Sequence, residues 1–240
     1  MRSSPNRPGN SRVTVTFTDC LLAVSCAIIR KTPRQRDGKT GEYTMTEREK
    51  ALSGYLFMSG DPSLRLERDR AKDLCYELNM CRPSDQETRE AILRSLIGTI
   101  KGKFTIISPF YCDYGRFITI GNNFFANYDC KIIDGALVTF GDDVRIGPNC
   151  CFATPNHAPD PQMRREGYQI YQPITVGNNV WFGSGVTVLP GVTIGDDTII
   201  AGGSVVTKDI PAGVLAAGNP CKVIRPFREE DKEKYPVWQG

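Results

Sequence analysis

A period of six runs through the second half of this chain. Val176, Phe182, Val188, Ile194, Ile200 and Val206 follow one another without a slip, and glycine follows directly in Val176-Gly177, Phe182-Gly183 and Ile194-Gly195. The same phase is present upstream at Ile120-Gly121, Ala126, Ile132 and Val138, then moves by two residues into Phe140-Gly141, Ile146-Gly147 and Phe152. This period is neither that of an amphipathic helix nor that of one amphipathic strand. It suits a coil that turns a corner after each short strand and points the same position of every unit inward. An antiparallel sandwich with glycine-rich turns fits worse, because its strands would alternate apolar and polar over longer runs.

A unit this short cannot bury its one apolar side chain alone, so copies must stack and build a core one rung at a time. Glycine beside the inward residue suits a tight corner. The Asn and Asp pairs at 122–123, 142–143, 178–179 and 196–197 supply turn-forming side chains expected to hydrogen-bond locally.

The repeat is interrupted over residues 153–173, which hold Pro155, Pro159, Pro161 and Pro173 with Arg164, Arg165 and Glu166. A solenoid accepts such an insertion by looping it out, and such loops often form the functional face. The protein's single histidine, His157, lies in it. Histidine is the side chain best suited to accept a proton near neutral pH, which makes it the candidate base of whatever site that loop forms.

Upstream, residues 45–100 read as three helices. Thr46 and Glu49 form a capping box, and Ala51, Leu52, Tyr55 and Leu56 carry the pattern to Phe57. Gly60-Asp61-Pro62 breaks it; a second helix covers residues 63–78, and Ser84 with Glu87 opens a third through Leu96. Phe104, Ile106 and Tyr111 lead into the coil as first-rung core, with Pro109 setting a corner. Residues 101–225 form the coil, and residues 226–240 a tail that caps its open end or frays.

Several segments carry a resemblance: Ile120-Gly-Asn-Asn-Phe-Phe-Ala-Asn-Tyr128, Thr154-Pro-Asn-His-Ala158, Ile174-Thr-Val-Gly-Asn-Asn-Val-Trp-Phe-Gly-Ser184 and Gly203-Ser-Val-Val-Thr-Lys-Asp-Ile-Pro211. From about Met45 to Arg225 the chain resembles the hexapeptide-repeat acyltransferases, and within them the maltose and galactoside O-acetyltransferases. The resemblance implies a mainly β fold: a left-handed parallel β-helix with a small α-helical cap at its N-terminal end. It implies acetyl transfer from acetyl-CoA to a hydroxyl of a small sugar such as maltose, glucose or a galactoside. His157 matches the general base. Asn127 matches an acceptor-orienting asparagine, and Asp134, Tyr128 and Asp61 are assigned to the acceptor, although Asn127 and Asp134 read equally as turn residues. Trp181, expected to face outward, together with Ser184, Gly202, Gly203, Thr207 and Lys208, is placed along the pantetheine arm, with Lys208, Lys222 and Arg225 toward the phosphates. The family's homotrimer puts each site between two subunits. An enzyme for a non-sugar acceptor such as serine or an antibiotic, and a scaffold that has lost catalysis, are the competing readings.

Composition adds exclusions. The net charge of +3 hides a basic extension: residues 1–44 carry eight Lys/Arg against three Asp/Glu. The remainder is close to neutral, which argues against a nucleic-acid partner. The apolar run from Cys20 to Ile29 is too short to span a bilayer. The extension reads as disordered or outside the family pattern, with a targeting segment or an added strand as alternatives. Nine scattered cysteines without a Cys-x-x-Cys pair, and one histidine, predict reduced thiols in a cytoplasmic protein and no metal site. Cys151 is expected in the core, and a cysteine nucleophile beside His157 is the weaker catalytic alternative.

Overall fold

Thr175 pairs with Thr193, Trp181 with Ile199 and Thr187 with Val205, eighteen residues on in each case, so three six-residue units complete one turn of a left-handed parallel β-helix. The computed structural model describes residues 44–232. The extension read over residues 1–44 therefore lies, but for Thr44, outside the described residues, as do residues 233–240. The coil has three faces. A threonine face stacks Thr99–Ile100, Ile118–Ile120, Val138–Phe140, Ile174–Val176 and Thr193–Ile194. A tryptophan face stacks Phe104–Ile106, Phe124–Ala126, Arg145–Ile146, Trp181–Phe182, Ile199–Ile200 and Val214–Ala217, closed by the antiparallel strand Lys222–Pro226. A cysteine face stacks Phe110–Cys112, Cys130–Ile133, Cys151–Ala153, Thr187–Val188 and Val205–Val206.

The inward residues stack rung on rung. Phe124, Phe140, Phe152 and Phe182 form a chain of tilted and edge-on rings with centroids 5.3, 5.0 and 5.1 Å apart. Each such pair adds about 0.5–1.5 kcal/mol beyond the area its rings bury. On the cysteine face Cys150 is the fully buried residue and Cys151 is half-buried, so the expected core role passes from Cys151 to its neighbour. Strand direction alternates side chains, and Phe152 already occupies the next inward position.

The corner side chains do not bond locally as expected. The Asn122 Oδ1 accepts from the Lys103 N–H at 3.0 Å, Asp142 Oδ1 from the Asn122 N–H at 2.7 Å, Asn178 Oδ1 from the Asp142 N–H at 2.9 Å and Asp196 Oδ1 from the Asn178 N–H at 2.7 Å. Each bond joins two neighbouring rungs, because the corner leaves a backbone N–H that donates to the side chain of the next rung. The adjoining glycines serve close approach: a Cβ on Gly177 would stand 2.1 Å from Asp196 Oδ1. It is the second residue of each pair, as at Asn123 and Asn179, that takes the left-handed conformation.

The lower end is covered by helices α1 (Glu47–Leu52), α2 (Pro62–Met80) and α3 (Gln86–Leu96). Ala71, Cys75, Leu78, Leu93 and Leu96 join the coil core, and the Cys75 and Cys112 sulfurs meet at 3.7 Å as thiols. The capping box at Thr46 and Glu49 is present. Two boundaries differ from the sequence expectation. Helix α1 stops at Leu52, before Gly54 at φ +74°, and Tyr55 and Leu56 are exposed. Helix α3 is capped by Asp85, whose carboxylate accepts from the Thr88 N–H at 3.2 Å, rather than by Ser84.

Past the α1 stop, Phe57–Met58 is a strand, and it determines how the insertion sits. Residues 155–157 and 168–171 form a hairpin around a short helix α4 (Pro161–Glu166), and Phe57–Met58 pairs with Tyr168 and Gln169 as its third strand. Phe57 is fully buried against Tyr171 at 4.5 Å between ring centroids, and the Ser59 hydroxyl donates to the Gly167 carbonyl at 2.9 Å. A second core of Ala51, Phe57, Leu64, Tyr114, Phe117, Ala136 and Tyr171 ties the helical region, the first rungs and the inserted hairpin together. The Arg48 guanidinium lies 4.3 Å from the Tyr114 ring and pairs with Glu67 at 2.8 Å across this junction. At the upper end the strand Lys222–Pro226 folds back on Val214–Ala217, and a 3-10 turn at Glu229–Lys232 follows.

Candidate active site

The edge where the tryptophan face turns into the cysteine face is built from close-packed backbone. The Gly147 N–H donates to the Phe182 carbonyl, the Gly183 N–H to Ile200 and the Gly203 N–H to Ser184, each at 2.8 Å. A Cβ on Gly183 would stand 2.4 Å from the Gly202 nitrogen, so the edge can be this tight only with glycine. The result is a column in which Asn127, Pro148, Ser184 and Gly202-Gly203 occupy successive rungs.

Asn127 is oriented by its own chain. Its Oδ1 accepts from the Tyr128 N–H at 2.8 Å, which leaves the Nδ2 donor facing outward without a protein partner among the described residues. Trp181 faces outward, as expected, and is 53% exposed. In register on its face it stands between Arg145 below and Ile199 above. Asn127, Arg145, Pro148, Trp181 and Ser184 line an open groove of about 500 Å³. Three of the residues singled out in the sequence thus meet in one place. Arg145 was missed, because an outward cation in a repeat reads as solvated surface until the register puts it beside Trp181.

Another group of expected residues lies on the next edge, where the cysteine face turns into the threonine face. His157 ends the first strand of the inserted hairpin, its backbone opposite Gln169 and its imidazole exposed. Thr207 and Lys208 follow Val205–Val206 at the same edge, exposed. Within one protomer these residues and the Asn127–Trp181 groove belong to different edges of the prism.

Three assignments change. Asp61 is the N-cap of α2: its Oδ1 accepts from the Ser63 N–H at 2.9 Å and the Ser63 hydroxyl at 2.5 Å, which hold its carboxyl below the usual range. The carboxylate expected at the acceptor therefore caps the start of a helix instead. Asp134 is wholly buried at the corner carrying the two-residue phase shift, where its carboxylate accepts from the backbone N–H groups of Asp113, Tyr114 and Phe117 at 2.8–3.2 Å. It braces a turn and presents no atom to a ligand. Burial pushes its pKa up to about 7 against the opposing effect of those donors. Arg225 forms a two-point ion pair with Asp231, both contacts at 2.6 Å, so its fork is occupied within the chain. Lys208 and Lys222 are exposed and enter no ion pair among the described residues. Tyr128, 54% exposed, lines a neighbouring groove of about 330 Å³ with Arg89 and Ser108, one step from Asn127 but not in the Trp181 groove. Among the described residues no group of three or more His, Cys, Asp and Glu is placed to hold a metal ion.

A coil of six-residue units with a side hairpin and a glycine-lined groove defines the class of hexapeptide transferases. Residues 173–208 match the family model described as bacterial transferase hexapeptide (six repeats), and residues 50–102 match the maltose acetyltransferase hexapeptide capping motif. A putative acetyltransferase of Saccharomyces cerevisiae is 45% identical over 76% of this chain and 94% of its own length. The galactoside O-acetyltransferase of Escherichia coli is 44% identical over 80% of this chain and 93% of its own. A solved structure of a galactoside acetyltransferase in complex with coenzyme A superposes with a TM-score of 0.76 at 43% identity, covering 79% of this chain and 94% of that one. The chain belongs to the hexapeptide-repeat acetyltransferase family and is related to the galactoside and maltose O-acetyltransferases.

Proposed function

We propose that the protein is an acetyl-CoA-dependent O-acetyltransferase that acts on a hydroxyl of a small sugar, with His157 as general base. The observation that carries this reading is the meeting of Asn127, Trp181 and Ser184 in one groove of a coil whose relative binds coenzyme A. The residues fit that ligand. Gly202 and Gly203 are exposed on the same edge, and Gly203 has nothing within 4 Å of where a Cβ would stand, so an extended amide-bearing arm can lie against the backbone. Acetyl-CoA supplies the thioester. Trp181 offers an apolar wall, Ser184 a hydroxyl, and Lys208 and Lys222 the positive charge that phosphates require.

The imidazole of His157 is free to take the hydroxyl proton, and the Nδ2 of Asn127 is an oriented donor for the carbonyl oxygen as charge gathers on it. These two groups stand on different edges of one coil. We read that as the reason for assembly: in a homotrimer the His157 edge of one copy closes over the Trp181 groove of the next. A cytoplasmic location is part of the same proposal.

The test follows thiol release from acetyl-CoA with maltose, glucose or a β-galactoside, for the intact protein and His157→Ala. Sugar-dependent release that falls by about 100-fold or more in the variant supports both the reaction and the base. No stimulation by any sugar, with the variant equal to the parent, would sink it.

A further inference from the structure

Outward residues on the tryptophan face form one column in register: Thr105, Phe125, Arg145, Trp181, Ile199 and Leu215. Arg145 is the charged member, flanked by rungs that carry Phe125 and Trp181. Its Nη1 donates to the Asn123 carbonyl and, at 3.4 Å, to the Val144 carbonyl, so the stem is anchored from one side. Nε and Nη2 are left open, and no carboxylate of the described residues pairs with them. Arg145, together with Phe125, forms the shared wall between two cavities. On one side is the Asn127–Trp181 groove; on the other is a larger groove of about 830 Å³ that Lys103, exposed and likewise without an ion pair, also lines. The one acid that lines the larger groove, Glu90, is already engaged by Arg94 at 2.6 Å.

Two unpaired cations thus face the passage leading downward from Trp181, away from the rungs that carry Ser184, Gly202 and Lys222. The geometry points to Arg145, with Lys103 behind it, as the specificity determinant that makes this site favour an acceptor sugar bearing a carboxylate or a phosphate. The inference rests on the proposed acetyl transfer, with the acetyl-CoA arm running from Trp181 up past Ser184 and the acceptor at the Arg145 end of the groove. The planar fork of an anchored arginine suits two-point recognition of such a group even on an exposed side chain. A neutral sugar would leave the guanidinium with water alone.

Calorimetric titration of the full chain with galacturonate, galactose, glucose 6-phosphate and glucose tests this without turnover. The charged sugars are expected to bind about tenfold or more tightly than their neutral parents, a gain that Arg145→Leu removes and Arg145→Lys partly restores. Lys103→Gln, on an exposed side chain, serves as a second variant should Arg145→Leu fold poorly, with an expected loss of about threefold in the same preference. Equal affinity for charged and neutral sugars, no binding of either, or a preference that survives both substitutions would overturn the proposal. So would a loss of acetyl-CoA binding in Arg145→Leu with sugar preference unchanged, since it would assign the arginine to the donor's phosphates. Because binding is read directly, an inactive protein that still prefers charged sugars would refute the acetyl-transfer reading and leave this one standing.

Discussion

Two edges of the coil carry the candidate site, and they are built on opposite plans. Between the tryptophan and cysteine faces every rung keeps the six-residue step, from Ala126 to Ile132, Ile146 to Phe152, Phe182 to Val188 and Ile200 to Val206, and glycine holds the rungs close. Between the cysteine and threonine faces the step is broken repeatedly. Two residues are added between Ile132 and Phe140, where Asp134 is buried, and the whole hairpin carrying His157 is added between Phe152 and Val176. The regular edge supplies a shaped groove whose backbone donors are used between rungs; the irregular edge carries an exposed imidazole on a side structure. A solenoid can vary one edge freely because rungs contact only their neighbours, provided the inserted segment finds its own core.

That contrast is open to breakage, first at the anchor of the inserted hairpin. Phe57→Ala empties a fully buried ring position against Tyr171, and is expected to cost about 3–5 kcal/mol where it is measured, as a large fall in thermal unfolding temperature together with lost acetyl transfer. If activity survives intact with only a small thermal shift, the hairpin holds itself and the second core is not what positions His157. Next, His157→Ala on that hairpin should reduce turnover by about 100-fold or more and leave thermal unfolding unchanged, because the imidazole is exposed and makes no contact that supports the fold. A variant that unfolds early would instead assign His157 a structural role.

The regular edge should respond the other way. Gly183→Ala forces a methyl toward the Gly202 backbone, and an expected cost of about 1–3 kcal/mol in chemical denaturation would show that the edge is limited by packing. Unchanged stability would mean that the rungs part easily there. The last test concerns Asp134 and is visible only as a function of pH. Its folded pKa, raised to about 7 by burial, exceeds the usual carboxylate value, so the folded state binds the proton more tightly than the unfolded chain. Its contribution is therefore complete at acid pH and is lost as pH rises toward and through about 7. Compared with wild type across that window, Asp134→Asn should gain relative stability with rising pH. A flat difference would show that the three backbone N–H donors outweigh burial.

Much of the coil was legible in the residues because its information is local. Six-residue spacing fixes which side chains point inward, and it also put Trp181 outside and the insertion on the surface. The helical cap was legible through Thr46 and Glu49, but its end was not: Tyr55 and Leu56 keep helical spacing, and the strand at Phe57 exists only because Tyr168 and Gln169 are there to pair with it, more than a hundred residues on. Asn127, Asp61 and Asp134 illustrate the same boundary within the site. All three are short polar side chains at chain reversals, and nothing in spacing distinguishes an outward amide from a helix cap or a buried brace.

The sequence by itself therefore determined the β-helix with its six-residue unit, the outward tryptophan and the one histidine on the large insertion, since each follows from periodicity or its interruption. Only the tertiary structure decided that Arg145 stands in register with Trp181, that Arg225 is held by Asp231, and that the groove and His157 occupy different edges. Those outcomes depend on which rung lies against which, and that is set by how many residues each corner consumes, a quantity accumulated along the chain and realised only when the rungs stack.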